Sequence, residues 1–417
     1  MVTELHRFCV SPASTIRGVH TVREAYAILD EAVSPSPAET VPLADALGRV
    51  LARAIVSDVD WPPFDTSAMD GYAVRAGEAP RESERLERPG LVAAGDPVPP
   101  PLVLGEAVRI MTGAPLPAGA DAVVPVEESR REAGRVRFDR EPRPGAHLRR
   151  RGESVARGTT LFPEGRRLDP SGVALAAMAG ADPVGVRRRP RIAIVTTGNE
   201  LVPARETPTE GRLRDSNGPM LAALCQARGW PAVLYEPVAD EARAVDRLFG
   251  AATGDFDVLV TSGGVSAGDL DLLPPAAQRA GWEILFHRVS VRPGRPVAFA
   301  RREGCFWFGL PGNPVSASAC FHLFVRRALD RFEGARDFGA PQVRARLTQD
   351  LPAAGPRETY RDAILSDDEG ERRVEPLRSA GSHDLLSHAR ANALIRIPPD
   401  GSPLPAGSIV TCVLLER

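Results

Sequence analysis

Residues 256–269 read FDVLVTSGGVSAGD, an apolar run that passes straight into hydroxyls and paired glycines. A buried strand ending in a glycine turn, with a helix to follow, is the repeating unit of a doubly wound α/β sheet. The pattern recurs on both sides. Upstream, RIAIVTTGNE (191–200) opens with a buried strand, and SNGPMLAALCQARGW (216–230) reads as a helix started by Ser216 or Asn217. PAVLYEPVAD (231–240) predicts a second strand and DEARAVDRLFGAATG (240–254) a second helix. Downstream, CFWFGLPGNPVSASACFHLFVRRAL (305–329) repeats strand, turn and helix. Residues 189–336 are therefore expected to form a mostly parallel sheet with helices on both faces.

In such sheets ligands sit beyond the carboxyl ends of the strands. Three polar segments fall there. They are Thr197-Gly198 with Glu200, Ser262-Gly263-Gly264 with Ser266, and Pro311-Gly312-Asn313-Pro314. Glycines let successive backbone N–H groups converge, and the hydroxyls add donors, so the segments read as an anion nest. Pro314 suits the first turn of a helix, which is expected to leave that helix's terminal N–H groups free for an anion. GxxxxGK[ST] and GxGxxG are both absent, which argues against nucleotide hydrolysis and dinucleotide binding. Single glycine turns of this kind often do no more than join a strand to a helix.

Acids cluster around these turns: Glu200, Asp215, Asp240, Asp269 and Asp271. Carboxylates beside an anion nest repel it unless a hard cation intervenes, which points to Mg2+. Helix capping is the competing role for Asp240 and Asp269. In VRPGRP (291–296), Arg292 and Arg295 flank a Pro-Gly turn and make a compact positive patch suited to oxyanions. An ordinary solvated hairpin turn is the plainer alternative.

Outside this block the character changes. TVREAYAILDEAVSP (21–35) puts Val22, Ala25, Leu29 and Val33 on one helical face, and PLADALGRVLARAIVSD (42–58) reads as a second short helix passing into an extended piece. Residues 58–147 alternate short apolar stretches with Pro/Gly turns and read as an inserted β-rich domain. Helical periodicity returns at 166–182, so residues 20–57 and 148–188 form one discontinuous linking domain. Residues 340–417 read as a C-terminal β domain of short strands.

The whole chain has 417 residues, 43% hydrophobic and 25% charged, with a net charge of -2, so bulk electrostatics do not favour nucleic acid. Five scattered cysteines form no CxxC pair, which argues against a zinc or dithiol site. No apolar run is long enough to span a bilayer and no signal-peptide core is present, so a cytoplasmic location is expected.

One further stretch, PPFDTSAMDGYAVR (62–75), mounts Asp65, Ser67 and Asp70 on a stiff double proline. Together with VRIMTGAPLPAGADAVVPVE, RRRGESV, VTTGNEL, LVTSGGVSAGDLD, VRPGRPVAF, GLPGNPVSA and ARANALIRIP, it resembles the molybdopterin molybdenumtransferase family. The resemblance runs from about residue 20 to the end. It implies transfer of molybdenum from molybdate into adenylylated molybdopterin, with Mg2+ present and AMP released. It also implies a homodimer whose cleft lies between the α/β domain of one subunit and the inserted domain of the other, and contacts with other proteins of cofactor synthesis.

By matching motif, the resemblance assigns functional roles to Asp65, Thr112, Glu200, Asp240 and Asp271. Glu200, Asp240 and Asp271 are the implied metal ligands, and the three polar segments with Ser67, Asp70, Arg292 and Arg295 are the implied ligand-binding set. Two departures stand out. Arg292 and Arg295 occupy positions where the family often has lysine, and Ser154 replaces the acid expected after Glu153 in RRRGES. A non-catalytic pterin carrier, a tungstate-inserting relative and a nucleotide-phosphate transferase working without oxyanion are the rival readings.

Overall fold

The computed structural model describes residues 18–76, 84–251, 254–265, 272–368 and 370–416. Helix α1 (Val22–Ala32) begins with a capping box: Glu24 N–H donates to Thr21 Oγ1 (3.2 Å), and Thr21 N–H donates to Glu24 Oε2 (2.7 Å). Such a cap is worth about 1 kcal/mol. Val22, Ala25, Leu29 and Val33 are all buried, as the periodicity predicts.

The expected helix at 42–58 is absent. Only a 3-10 turn forms at Leu43–Asp45, and the chain then runs extended. Gly48 (φ 72°) turns the backbone into the left-handed region, and its N–H donates to Leu168 O. Val50 and Leu51 bridge to Arg167 and Val186, so tertiary partners override a weak helical period. Two strand pairs join the distant segments of this region, Ala38–Val41 with Val184–Arg187 and Ile55–Val56 with Thr160–Phe162.

Between those segments lies a six-stranded sheet of β1 (Gly71–Val74), β2 (Glu84–Val92), β3 (Glu106–Ile110), β4 (Ala122–Pro125), β5 (Ser129–Glu132) and β6 (Arg135–Phe138). Its order is β4-β1-β3-β2-β6-β5. Helix α2 (Pro170–Met178), capped by Asp169, returns the chain to the body of the molecule.

The next sheet is built from β7 (Ile192–Thr196), β8 (Ala232–Leu234), β9 (Val258–Ser262), β10 (Glu283–His287), β11 (Ala298–Arg302) and β12 (Cys305–Leu310). The order is β8-β7-β9-β12-β11-β10, with the first four strands parallel and β11 running antiparallel between β12 and β10. Side chains alternate across it. Ile192, Ile194, Val258, Val260, Phe306 and Phe308 pack toward α1, α3 (Asn217–Ala227) and α6 (Pro314–Cys320). Ala193, Val195, Leu259 and Trp307 face α4 (Ala242–Ala251) and α5 (Leu273–Arg279) on the other side. Both faces are thus covered, as a doubly wound fold requires. A single π-helical turn, Phe321–Val325, separates α6 from α7 (Arg326–Phe332).

The C-terminal strands are β13 (Gln342–Leu347), β14 (Glu358–Asp368), β15 (Glu371–Pro376), β16 (Ala393–Ile397) and β17 (Ile409–Leu414), with α8 (Leu385–Arg390) between β15 and β16. β14 pairs with both β15 and β16, so the run β14-β15-β13-β17-β16 closes on itself as a five-stranded barrel without free edges. Tyr360, Leu394 and Val413 of this barrel join the same apolar core as α1 and α6.

Candidate active site

A cleft of about 1350 Å3 opens beyond the carboxyl ends of β7, β9 and β12. Its floor is the three glycine turns. Asn217, at the start of α3, donates its side-chain amide to Ser262 Oγ (2.8 Å) and to Gly312 O (2.7 Å). The Ser262 hydroxyl donates onward to Pro311 O (3.0 Å), and Thr197 N–H donates to Ser262 O (2.8 Å), so the three turns and the start of α3 are tied together. Gly263 (φ 102°) allows the closest approach: a Cβ there would come within 2.3 Å of Thr197 O. Thr197, Gly198 and Glu200 belong to the first turn, with Thr197 and Glu200 on the cleft wall.

Asp215 caps α3, accepting from Gly218 N–H (3.0 Å) and Thr196 Oγ1 (2.9 Å). Glu200 and Asp240 both line the cleft. Burial first, and the neighbouring Glu200 charge second, push the Asp240 carboxyl above its ordinary range. Asp240 N–H donates to the side chain of Asn199 (3.1 Å). No group of three metal-ligating side chains occurs among the described residues. Ser266 and Asp271 lie outside the described residues.

One expectation about the floor needs correction. The N-terminal N–H groups of α6 are not all free, because Val315 N–H donates to Ser382 O (3.2 Å) of the C-terminal domain. Asn313 Nδ2 also donates to Ser382 Oγ (3.0 Å). A loop 69 residues away from Asn313 supplies the partner, which no local pattern announces.

A further part of the wall comes from the barrel, and no local sequence pattern announces it. Arg357, Arg361, Ser379, Ser382 and His383 line the same cleft as Arg292 and Arg295. Val291–Arg292 pairs in parallel with Glu358–Thr359 of β14, which brings the two sets of arginines together. Gly294 (φ 105°) packs against α6 so closely that a Cβ would lie 2.3 Å from Cys320 Sγ. Among the described residues the guanidinium groups of Arg292, Arg295 and Arg357 have no carboxylate partner, and Arg361 donates only to Leu377 O (3.4 Å). Other arginines of the chain are held by carboxylates, as Arg188 is by Asp257. Unpaired guanidinium groups converging on a cleft select a multivalent anion.

Asp65, Ser67, Asp70 and Thr112 stand apart from this cleft, grouped on the inserted domain. Asp70 accepts from Thr112 N–H and Oγ1–H, both at 2.7 Å, and these bonds hold its carboxyl below the usual range. Burial of Asp65 opposes ionisation. It is outweighed by Arg151 N–H (2.8 Å) and the Arg150 guanidinium (2.7 Å), which lower its pKa. Ser67 is buried, and its hydroxyl donates to Met69 O (2.5 Å). Ser154 is exposed, while Glu153 accepts from Arg150 N–H (2.7 Å). Trp61, Phe64 and Met69 around this group are exposed by 45%, 41% and 40%.

Residues 20–180 match the MoeA N-terminal region (domain I and II), 193–331 a probable molybdopterin binding domain, and 344–415 the MoeA C-terminal region (domain IV). Molybdopterin molybdenumtransferase 2 of Mycobacterium tuberculosis is 35% identical over 94% of this chain and 98% of its own. The molybdopterin molybdenumtransferase of Haemophilus influenzae is 31% identical over 92% of this chain and 95% of its own. The crystal structure of the molybdopterin biosynthesis MoeA protein of Pyrococcus horikoshii superposes with a TM-score of 0.80 at 30% identity, covering 95% of this chain and 100% of that one. The chain belongs to the molybdopterin molybdenumtransferase family.

Proposed function

We propose that this protein transfers molybdenum from molybdate into adenylylated molybdopterin and releases AMP. The observation that carries the reading is the cleft itself, with its four arginines lacking carboxylate partners facing a glycine-turn floor and a carboxylate pair. Molybdate and the phosphates of the pterin are all anions. They match guanidinium donors at the rim and backbone donors at the floor. Arg292 and Arg295 bind and orient together with Arg357 and Arg361 of the neighbouring barrel strand.

Glu200 and Asp240 supply hard oxygen donors whose mutual repulsion a cation would relieve, and the raised Asp240 carboxyl supports that fit. Magnesium is commonly held by one or two carboxylates with phosphate oxygens completing its shell. When bound, it would compensate the charge on the departing phosphate. No nucleophilic side chain is needed, because an oxygen of molybdate or water can attack the phosphoanhydride.

A homodimer is part of the same reading. Asp65, Asp70 and Thr112 lie on a face with exposed Trp61, Phe64 and Met69, an apolar rim of the kind that a second copy would cover. That copy would bring its carboxylates to the cleft as a further wall.

AMP release from adenylylated molybdopterin, measured with Mg2+ across a molybdate titration, tests the reading. Release rising with molybdate supports it. Tight pterin binding without AMP release would favour a carrier. A lower half-saturation for tungstate would favour the tungsten relative, and release indifferent to any oxyanion would sink both.

A further inference from the structure

Behind the line where the barrel meets α6 lies a row of three buried polar side chains. Asp362 Oδ1 lies 2.8 Å from His388 Nδ1, and His388 Nε2 lies 2.8 Å from Ser318 Oγ. Asp362 comes from β14 and His388 from α8, whereas Ser318 belongs to α6, so the row crosses from one domain to the other. For a neutral imidazole one tautomer satisfies every member: Nδ1–H donates to Asp362, and Nε2 accepts from the Ser318 hydroxyl.

The residue types are those of a hydrolytic triad, but the setting is not. Ser318 is 3% exposed inside a helix, between Ala317 and Ala319 at 0%. A nucleophile needs space for a carbonyl beside it, and Ser318 is buried in mid-helix and does not line the cleft. The remaining role is mechanical. One turn earlier on α6, Val315 N–H and Asn313 Nδ2 donate to Ser382, so the barrel grips this helix at two levels. Asp362, Ser382 and Asn313 also line the cleft.

We propose that His388 is a positioning residue: the Asp362–His388–Ser318 row sets the spacing between Arg357 and Arg361 on the barrel and the α6 wall, and so the affinity for a tetrahedral oxyanion touching both. This rests on the oxyanion reading above. Without the row, α6 would be tied to the barrel at its first turn only, through Ser382, and beyond that by the non-directional apolar contacts of Tyr360, Leu394 and Val413. Small displacements of a charged wall weaken a ligand that spans it.

The test uses the full chain with Ser318→Ala, His388→Asn and the double variant. Asparagine can still donate to Asp362 but does not reach Ser318. Molybdate binding is measured by calorimetry and amide exchange over residues 313–317 by deuterium uptake. Each single variant is expected to weaken molybdate binding by about tenfold and to speed exchange, with the double no worse than either, as coupled partners require. Additive losses, or wild-type affinity in both single variants, would overturn the proposal. Were wild-type protein to bind no molybdate, the oxyanion reading would fail. Exchange in 313–317 would still decide whether the row joins the walls, and unchanged exchange overturns it in either case.

Discussion

Asn217 holds Ser262 at 2.8 Å and, with its second amide hydrogen, the carbonyl of Gly312 at 2.7 Å. Both side chains are buried, so water does not replace a lost bond. Asn217→Ala is expected to cost about 1–3 kcal/mol of stability. Pterin and oxyanion binding should weaken along with it. Urea denaturation beside ligand titration checks this, and a loss of stability with intact affinity would show that the floor does not depend on this side chain.

Arg292 and Arg361 make no ion pair within the described chain, so their replacement should leave stability within about 0.5 kcal/mol. Arg292→Ala and Arg361→Ala should each weaken oxyanion binding by about tenfold or more. Arg292→Lys restores the charge without the paired donors and should recover only part of that loss. Calorimetry with molybdate separates the three variants.

The pH dependence follows from Asp240. Burial and the Glu200 charge raise its carboxyl above the ordinary 3.8, so the native chain binds that proton more tightly than the unfolded chain does. Stability linked to this group is therefore lowest when it is ionised, and it recovers as pH falls through the raised value. Glu200→Gln should bring the Asp240 pKa down and slightly raise the melting temperature of the metal-free protein, while lowering Mg2+ affinity. Melting curves and Mg2+ titrations across pH 4–8 read both effects. A variant that melts lower and binds Mg2+ normally would rule out the carboxylate pair as its ligand set.

Gly263 has backbone, not a flexible side chain, where its Cβ would go. Together with its positive φ, this makes Gly263→Ala destabilising by about 1–3 kcal/mol. The displaced turn should also lose ligand. Denaturation and binding measured together test it, and wild-type values in both would mean that the turn relaxes freely.

A buried charge network links domains at the far end of α7. Arg167 donates to Asp330 and Glu333, both at 2.8 Å, and Trp230 Nε1–H donates to Glu333 (2.8 Å). Glu333 is 0% exposed. Glu333→Ala leaves Asp330 as the carboxylate partner of Arg167 and strips the buried Trp230 indole of its acceptor, and should cost about 1–3 kcal/mol. Urea midpoints at constant m-value provide the check.

Legibility followed the range of the interactions. The strand–turn–helix order of the α/β domain, the α1 face and the glycine turns are encoded within windows of a few residues, and all were readable. The helix expected at 42–58 failed because Gly48 and partners more than a hundred residues away decide its path. Arg357, Arg361 and Ser382 were invisible as site residues, since nothing near them in sequence marks a cleft. Their role appears only when β14 pairs with Val291–Arg292. The arginine pair itself was legible; the barrel strand beside it was not.

That strand pair also means that chain order and mechanical order differ. The turn bearing Arg292 and Arg295 is encoded in the α/β domain, yet the Val291–Arg292 segment that leads into it pairs with the barrel. A fragment ending near residue 336 would retain the glycine turns and lose the scaffold that aims half of the positive charge. The smallest piece able to recognise the anion is thus larger than the α/β domain, although that domain contributes the floor and the first two arginines.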